Sequence, residues 1–192
     1  MHNCLVIDLD RCSGCHSCEV HCKMQNKIDL GVYWNKVLIV GPTGTFPDIE
    51  QYALPMQCQQ CADAPCVKVC PTGASYRDKK TNIVLINKAV CFGCRYCMMA
   101  CPYGVRWYNE AEKVVEKCTL CPQLTSAGEK PACVHNCCTG ARSYGDLDDP
   151  NSDVSQVIAA AGAENVHSLP DEGNHPSTHY ILRQETATWR ES

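Results

Sequence analysis

Cysteine accounts for 18 of the 192 residues, and sixteen of these cysteines fall into four regularly spaced groups of four. The first and third groups follow C-x2-C-x2-C-x3-C, the second C-x2-C-x4-C-x3-C, and the fourth C-x2-C-x11-C-x3-C. In chain order they are Cys12, Cys15, Cys18, Cys22; Cys58, Cys61, Cys66, Cys70; Cys91, Cys94, Cys97, Cys101; and Cys118, Cys121, Cys133, Cys137. Cysteine at this density indicates a disulfide scaffold or a metal protein, and the spacing decides between them.

The spacing is typical of iron–sulfur binding. A C-x2-C-x2-C loop wraps one face of an iron–sulfur cube, and the fourth cysteine, one helical turn further on, serves a second cluster. Pro71 and Pro102 follow the fourth cysteine of the second and third groups, where proline turns the chain out of the helix. Four such groups predict four [4Fe–4S] clusters with all sixteen cysteines as iron ligands.

Zinc and disulfides are the two alternatives. Zinc sites use C-x2-C in pairs of pairs, without a third cysteine at the next x2 step. Disulfides need an oxidising compartment, and Asp8 and Asp10 interrupt the apolar N-terminal stretch that a secretory signal would require. Both alternatives are therefore weak. Cys4 and Cys138 lie outside the groups; Cys4 is expected to be a small buried residue, and Cys138 could compete with Cys137 as a ligand.

Composition excludes several other classes. The formal net charge of −4 and the pI near 5.9 give no basic surface for nucleic acid. No apolar run is long enough for a direct membrane span. Without a signal the expected location is the cytoplasm, or export in the folded state with a partner that carries a twin-arginine signal. Bound clusters would make the net charge more negative, since each cluster with four thiolates carries about −2. Basic residues beside the motifs could offset this charge locally, namely Arg11, Lys23, Lys68, Arg95, Arg106 and Lys117.

The elements that would hold these cysteines are short. The sequence predicts hairpins from 74–77 with 83–86 and from 105–108 with 114–116, and helices at 65–70 and 94–101. Further strands are expected at 5–8, 36–40, 141–144, 166–169 and 179–182, and further helices at 15–22, 132–137 and 154–161. Cys66–Ala74 also matches Cys133–Ala141, which indicates duplicated units.

These elements predict an α+β fold of two bacterial-type ferredoxin-like units, the second inserted in the first. The outer unit comprises residues 1–57 and 118–182, the inserted unit residues 58–117, and residues 183–192 form a tail. Because the fourth cysteine of each group serves the neighbouring cluster, four ligand sets follow, which we call sites 1 to 4. Site 1 is Cys12, Cys15, Cys18 and Cys137; site 2 is Cys118, Cys121, Cys133 and Cys22; site 3 is Cys58, Cys61, Cys66 and Cys101; site 4 is Cys91, Cys94, Cys97 and Cys70.

The chain carries no pattern for substrate chemistry. It has no evident Ser/His/Asp order, phosphate-binding glycine loop or paired carboxylates. We therefore expect no catalytic residue and no enzyme activity of the chain alone. Trp189 in the tail is either loosely packed or an anchor for a partner.

Five segments resemble the iron–sulfur subunits of the molybdopterin oxidoreductases, the dimethyl sulfoxide reductase family, which includes subunits of polysulfide and arsenate reductases and of pyrogallol–phloroglucinol transhydroxylase. They are Ile7–Cys12, Cys15–Cys22, Cys58–Ala74, Cys118–Cys121 and Gly145–Pro150. Cys138 departs from the pattern, because proline usually follows the last cysteine of group four.

The resemblance implies an electron-transfer subunit that relays single electrons through four [4Fe–4S] clusters. Its implied partner is a large molybdopterin catalytic subunit with molybdenum or tungsten, joined in some relatives by a membrane anchor or a soluble electron carrier. The alternative is a self-standing polyferredoxin, or a subunit of another redox complex such as a hydrogenase. The substrate, the direction of electron flow and the cluster potentials are not encoded in these motifs.

Overall fold

The computed structural model describes residues 2–183 and Trp189, and within them the fold is a mixture of short helices and small β-sheets. The strands are β1 Asn3–Asp8, β2 Asn35–Thr45, β3 Asp48–Gln57, β4 Ser75–Arg77, β5 Val84–Ile86, β6 Trp107–Asn109, β7 Val114–Glu116, β8 Arg142–Asp146, β9 Val166–His167 and β10 His179–Ile181. The helices are α1 Ser17–Asn26, α2 Pro65–Lys68, α3 Tyr96–Met99, α4 Pro122–Thr125, α5 Ala132–His135 and α6 Asp153–Ala161. The predicted α+β class is therefore compatible with the structure.

The largest sheet joins the two ends of the chain, with the strand order β8-β1-β10-β9. The central β1 runs antiparallel to β8, with Leu5 opposite Tyr144, and parallel to β10, with Ile7 opposite Tyr180. Every residue of β1 from Cys4 to Asp8 is buried, as expected of a strand covered on both faces. Helix α6 covers one face, where Val154 and Ala161 pack against Cys4, Val6 and Ile181.

The hairpin of β2 and β3 was only half predicted. The predicted strand 36–40 lies inside the longer β2, and its partner β3 was not predicted at all. Pro42, Pro47 and Pro55 argue against strands, because proline cannot donate to a ladder. The register shift between Val40 and Thr43 leaves Pro42 out of the ladder, and Pro47 lies in the turn before β3, whereas Pro55 is paired with Val37.

Both hairpins predicted in the middle of the chain are present, as β4–β5 and β6–β7. The helices that carry the first and third cysteine groups begin later than predicted. His16 and Arg95, directly before α1 and α3, have left-handed backbone angles with φ of 60° and 65°. A residue with left-handed backbone angles cannot belong to a right-handed helix, so each helix begins at the next residue. Helix α4 was not predicted.

The C-terminal elements are close to their predicted positions, as α6, β9 and β10. Of the predicted tail, residues 184–188 and 190–192 lie outside the described residues. Trp189 is not loosely packed: it stacks on His167 at 5.0 Å between ring centroids and donates a hydrogen bond to the Ser168 carbonyl. It is half-buried, and a role as partner anchor stays a prediction. The longest helix in the described part of the chain has ten residues, and none there could cross a membrane.

Candidate functional site

Three cavities in the structure are each lined by four cysteines. The cysteines around each cavity come from separate parts of the chain: three belong to one cysteine group and the fourth belongs to a second group. They are Cys22, Cys118, Cys121, Cys133 (site 2); Cys58, Cys61, Cys66, Cys101 (site 3); and Cys70, Cys91, Cys94, Cys97 (site 4). The volumes between the lining residues are about 340, 310 and 330 Å³, including space open to solvent.

Three of the four predicted members of site 1 lie close together, namely Cys12, Cys18 and Cys137. Cys18 and Cys137 are close enough to Cys12 to act on it electrostatically. The Ser17 hydroxyl donates to the Asn136 carbonyl at 2.9 Å, which holds the start of α1 against the residue before Cys137. The structure thus gathers all four cysteines of sites 2, 3 and 4 and three of site 1, whereas the Sγ of Cys15 lies against Cys138. Iron ligation itself stays a prediction.

Local backbone conformation positions the cysteine loops. In the first and third groups a glycine precedes the second cysteine, and both glycines have positive φ, +64° at Gly14 and +73° at Gly93. A side chain at Gly93 would collide with the Lys113 carbonyl oxygen and the Tyr108 ring, so the loop lies directly on the β6–β7 hairpin. Only glycine combines this backbone conformation with such close approach.

Burial makes several of these thiols poor acids, whereas hydrogen bonds outweigh burial and lower the pKa of Cys70 and of Cys137. Burial raises the pKa of Cys61 and of Cys118 to about 12, and neighbouring cysteine charges act in the same direction. For Cys22 burial raises the pKa further, with added repulsion from Cys118, Cys133 and Cys121. Because metal ligands must be thiolates, these sites suit a group whose irons displace the thiol protons.

Several donors point at the thiols. The Arg106 guanidinium donates to Cys66 Sγ at 2.7 Å, and the Asn174 amide donates to Cys61 Sγ at 3.1 Å. At site 4 the backbone N–H of Ser75 donates to Cys70 Sγ at 3.3 Å. Hydrogen bonds to ligand sulfur are one of the means by which a protein tunes an iron–sulfur cluster.

Unpartnered donors at site 2 test whether an iron–sulfur cluster fits there. Trp34, Asn35, Gln57 and Arg142 all line this cavity. Each has one buried side-chain N–H group without a hydrogen-bond partner among the described residues: Trp34 Nε1, Asn35 Nδ2, Gln57 Nε2 and Arg142 Nε. Buried donors are nearly always satisfied, and the sulfides of an anionic cluster would supply the missing acceptors. The donor set therefore fits such a group.

The arrangement suits a cluster better than a single metal ion. Across the described residues, no three His, Cys, Asp or Glu side chains converge as the ligands of one ion do. The four thiols of sites 2, 3 and 4 stand around a cavity instead, whereas a zinc ion would draw them to about 2.3 Å from one point.

Two of the predicted basic residues, Arg106 and Lys117, are buried among these sites, at 4% and 1% exposure. A third, Arg142, is 5% exposed and was missed. A repeat could have revealed it, because Arg106 and Arg142 each stand five residues after the last cysteine of their group, in the pattern C-x2-G-x-R. Asn174 was missed for another reason: it is 113 residues from Cys61 and carries no local signal.

The two ungrouped cysteines differ. Cys4 is fully buried in β1, as expected, and burial raises its pKa to about 12. Cys138 is exposed, and its Sγ lies 3.4 Å from Sγ of Cys15. Cys137, by contrast, lies close to Cys12.

Comparison with known proteins agrees with this geometry. Residues 49–147, just over half of the chain, match the family model described as a 4Fe-4S dicluster domain. A protein of Halobacterium salinarum that is named as a candidate iron–sulfur subunit of a dimethyl sulfoxide reductase is 44% identical, and the match covers 92% of this chain and 78% of that one.

Two other relatives have similar coverage. A sulfite dehydrogenase subunit of Allochromatium vinosum is 39% identical over 95% of this chain and 83% of its own length. The arsenate respiratory reductase iron–sulfur subunit of Shewanella sp. is 36% identical over 92% of this chain and 94% of its own. Together with the cysteine-lined cavities, these matches show that the chain belongs to the 4Fe–4S dicluster family of iron–sulfur subunits.

Proposed function

We propose that this chain is the electron-transfer subunit of an oxidoreductase complex and relays single electrons to or from a molybdopterin catalytic subunit. The observation that carries the proposal is the gathering of cysteines from separate groups around cavities of similar volume. When bound, [4Fe–4S] clusters supply one-electron chemistry at thiolate-ligated iron. The chain's own residues bind the clusters, shield them and set their surroundings.

All sixteen grouped cysteines serve as ligands in this proposal, in the sets named sites 1 to 4, so the chain holds four clusters. Two ferredoxin-like units result, the outer one of residues 1–57 and 118–182 and the inserted one of residues 58–117. Contacts between the ends of the chain support the outer unit, because β1 pairs with β8 and β10. The hairpins β4–β5 and β6–β7 support the inserted one.

Contacts between neighbouring sets support a linear order of sites. Cys58 of site 3 is close enough to Cys118 of site 2 to act on it electrostatically, so these two sites are neighbours across the junction of the units. Within each unit the shared cysteine groups keep site 1 beside site 2 and site 3 beside site 4. In the order 1-2-3-4 the sites form a linear electron-transfer chain, with site 1 at one end and site 4 at the other.

Exposed apolar side chains near the two end sites support docking of partners there. Phe92, Tyr96 and Met99, in and beside the cysteine loop of site 4, are 63%, 58% and 82% exposed. On α1, which carries Cys18 of site 1, Val20 and Met24 are 51% and 72% exposed. Exposed apolar patches of this kind mark interaction surfaces.

The catalytic partner with molybdenum or tungsten would occupy one of these ends, and a membrane anchor or soluble electron carrier the other. The names of the relatives support a multi-subunit complex, since they are subunits of a dimethyl sulfoxide reductase, a sulfite dehydrogenase and an arsenate reductase. The cytoplasmic location stays a prediction, which cell fractionation would check.

Anaerobic purification of the chain with its natural partners tests the proposal. We expect a brown protein with about sixteen irons and sixteen acid-labile sulfides per chain, together with a second chain that contains molybdenum or tungsten. Zinc without labile sulfide would contradict cluster binding. Sixteen irons in a monomer that is active without any molybdenum or tungsten chain would instead favour a self-standing polyferredoxin.

A further inference from the structure

Three buried cations lie among the cysteine sites without a carboxylate partner. Arg106, Lys117 and Arg142 are 4%, 1% and 5% exposed. None of the salt bridges between described residues involves any of them. A buried charge is costly unless opposite charge surrounds it, and the nearest candidates for that charge are the thiolate-ligated sites.

Arg142 lies between sites 1 and 2. It lines the cavity of site 2, and the thiols on which its charge acts most are Cys133 and Cys18, one from each site. Its guanidinium is held by Asn35 Oδ1, which accepts at 3.1 and 3.2 Å, and by Gln57 Oε1, which accepts at 2.7 Å. These contacts fix the charge in place.

Arg106 has the equivalent position in the other unit. It lines the cavity of site 3 and donates to Cys66 Sγ at 2.7 Å. Its charge acts on Cys66 and Cys58 of site 3 and on Cys97 of site 4. The shared pattern C-x2-G-x-R therefore places one arginine between the two sites of each unit.

Lys117 occupies the junction between the units. Its ammonium donates to the carbonyl of Cys118, a site 2 cysteine, at 2.8 Å, and to the carbonyl of Val84, which lines the cavity of site 3. Its charge also acts on Cys66 of site 3. Lys117 therefore stands between sites 2 and 3, as the arginines stand between the sites of each unit.

We infer that each buried cation is a positioning residue that raises the reduction potentials of the two sites it lies between. Arg142 acts on sites 1 and 2, Lys117 on sites 2 and 3, and Arg106 on sites 3 and 4. The inference rests on the proposed function. Its physical basis is that an added electron is stabilised by a fixed positive charge nearby, and that this effect falls with distance.

Redox titration of the complete chain, followed by electron paramagnetic resonance, tests this inference. The variants are Arg142→Gln, Lys117→Met and Arg106→Gln, with Lys117→Arg as the variant that keeps the charge and exposed Lys130→Met as control. The signals are assigned to sites with the ligand variants Cys12→Ser, Cys121→Ser, Cys61→Ser and Cys94→Ser. Each neutral variant should lower the reduced-to-oxidised ratio of its two flanking sites about tenfold at fixed potential, or about 59 mV.

The pattern across sites decides the outcome. Lys117→Met should shift sites 2 and 3 and spare sites 1 and 4, while Lys117→Arg and Lys130→Met leave all four unchanged. An equal shift of all sites, or of none, overturns the inference. If a neutral variant assembles fewer clusters, the missing ones should be the flanking pair, and loss of a different pair overturns it as well. Wild-type protein without sixteen irons would refute the proposed function instead.

Discussion

Replacement of Asn174 by leucine should lower the reduction potential of site 3 alone. Asn174 is 3% exposed, and its amide donates to Cys61 Sγ at 3.1 Å and to the Tyr103 hydroxyl at 2.7 Å. Burial raises the pKa of Cys61 to about 12, and the Asn174 hydrogen bond opposes this because it stabilises the thiolate. The same hydrogen bond favours the more negative, reduced state of a site ligated by Cys61.

The size of the effect follows from the strength of the bond. A hydrogen bond to a charged group contributes about 1.5–3 kcal/mol. Only part of this distinguishes the two redox states, because the added electron spreads over the whole cluster. If the hydrogen bond is stronger in the reduced than in the oxidised state by on the order of 1 kcal/mol, its removal shifts the reduction potential of site 3 by about −40 mV for one electron. Leucine has a similar volume but no donor, so it removes the bond while still excluding water from the cavity.

Asn26 supplies a matched control at site 2. Its amide lies 3.7 Å from Cys22 Sγ and 3.9 Å from Cys121 Sγ, longer than the Asn174 contact. Redox titration of Asn26→Leu should therefore give a smaller negative shift, confined to site 2. The reasoning fails if Asn174→Leu leaves site 3 unchanged or raises its potential, or if Asn26→Leu produces a shift of equal size.

Three further predictions concern assembly and stability. Cys138→Ala should leave about sixteen irons per chain in iron and sulfide analysis, whereas Cys137→Ala should remove iron from site 1; loss of iron in the first variant would show that Cys138 is a ligand. Gly93→Ala should abolish the signal of site 4, because a Cβ there meets backbone, while Gly14→Ala, whose nearest neighbour is the Ala53 Cβ at 3.3 Å, should keep site 1; equal losses would contradict the role of the close approach. Trp189→Ala should lower the free energy of unfolding by about 1–3 kcal/mol, since the indole packs against three rings, stacked on Tyr52 and His167 and tilted to Tyr180; an unchanged melting temperature would contradict this packing.

Cysteine spacing predicted three ligand sets that coincide with the cysteines lining three cavities. This was possible because the assignment of the fourth cysteine of each group to another cluster follows from short local motifs. The hairpins within residues 58–117 were predictable for the same reason: each pairs neighbouring segments across a short turn. The strand β3 was not predictable in this way, since Pro55 argues against a ladder although the structure pairs it with Val37.

The polar residues around the sites were harder to predict. Asn174 reaches Cys61 across 113 residues, and Arg142 reaches Asn35 across 107, so neither contact has a local sequence pattern. Trp189 illustrates the same limit. Its position in the tail indicated a partner anchor or a loosely packed residue, and the ring contacts with Tyr52, His167 and Tyr180 become visible only in the structure. Long-range contacts of single side chains become visible only in the folded chain.

The distribution of the core explains why clusters are also a folding requirement. Strands β4 to β7 have three residues each and α2 and α3 have four, lengths that are marginal without tertiary support. The apolar group between them includes Cys66 and Cys97, which are site residues rather than ordinary core. The group under α6, in contrast, joins Val6, Val154 and Ile181 and includes no site cysteine. Because a cluster crosslinks distant segments and its binding energy is folding energy, removal of iron should unfold residues 58–117 first, while the four-stranded sheet with α6 keeps its amide protection in hydrogen exchange.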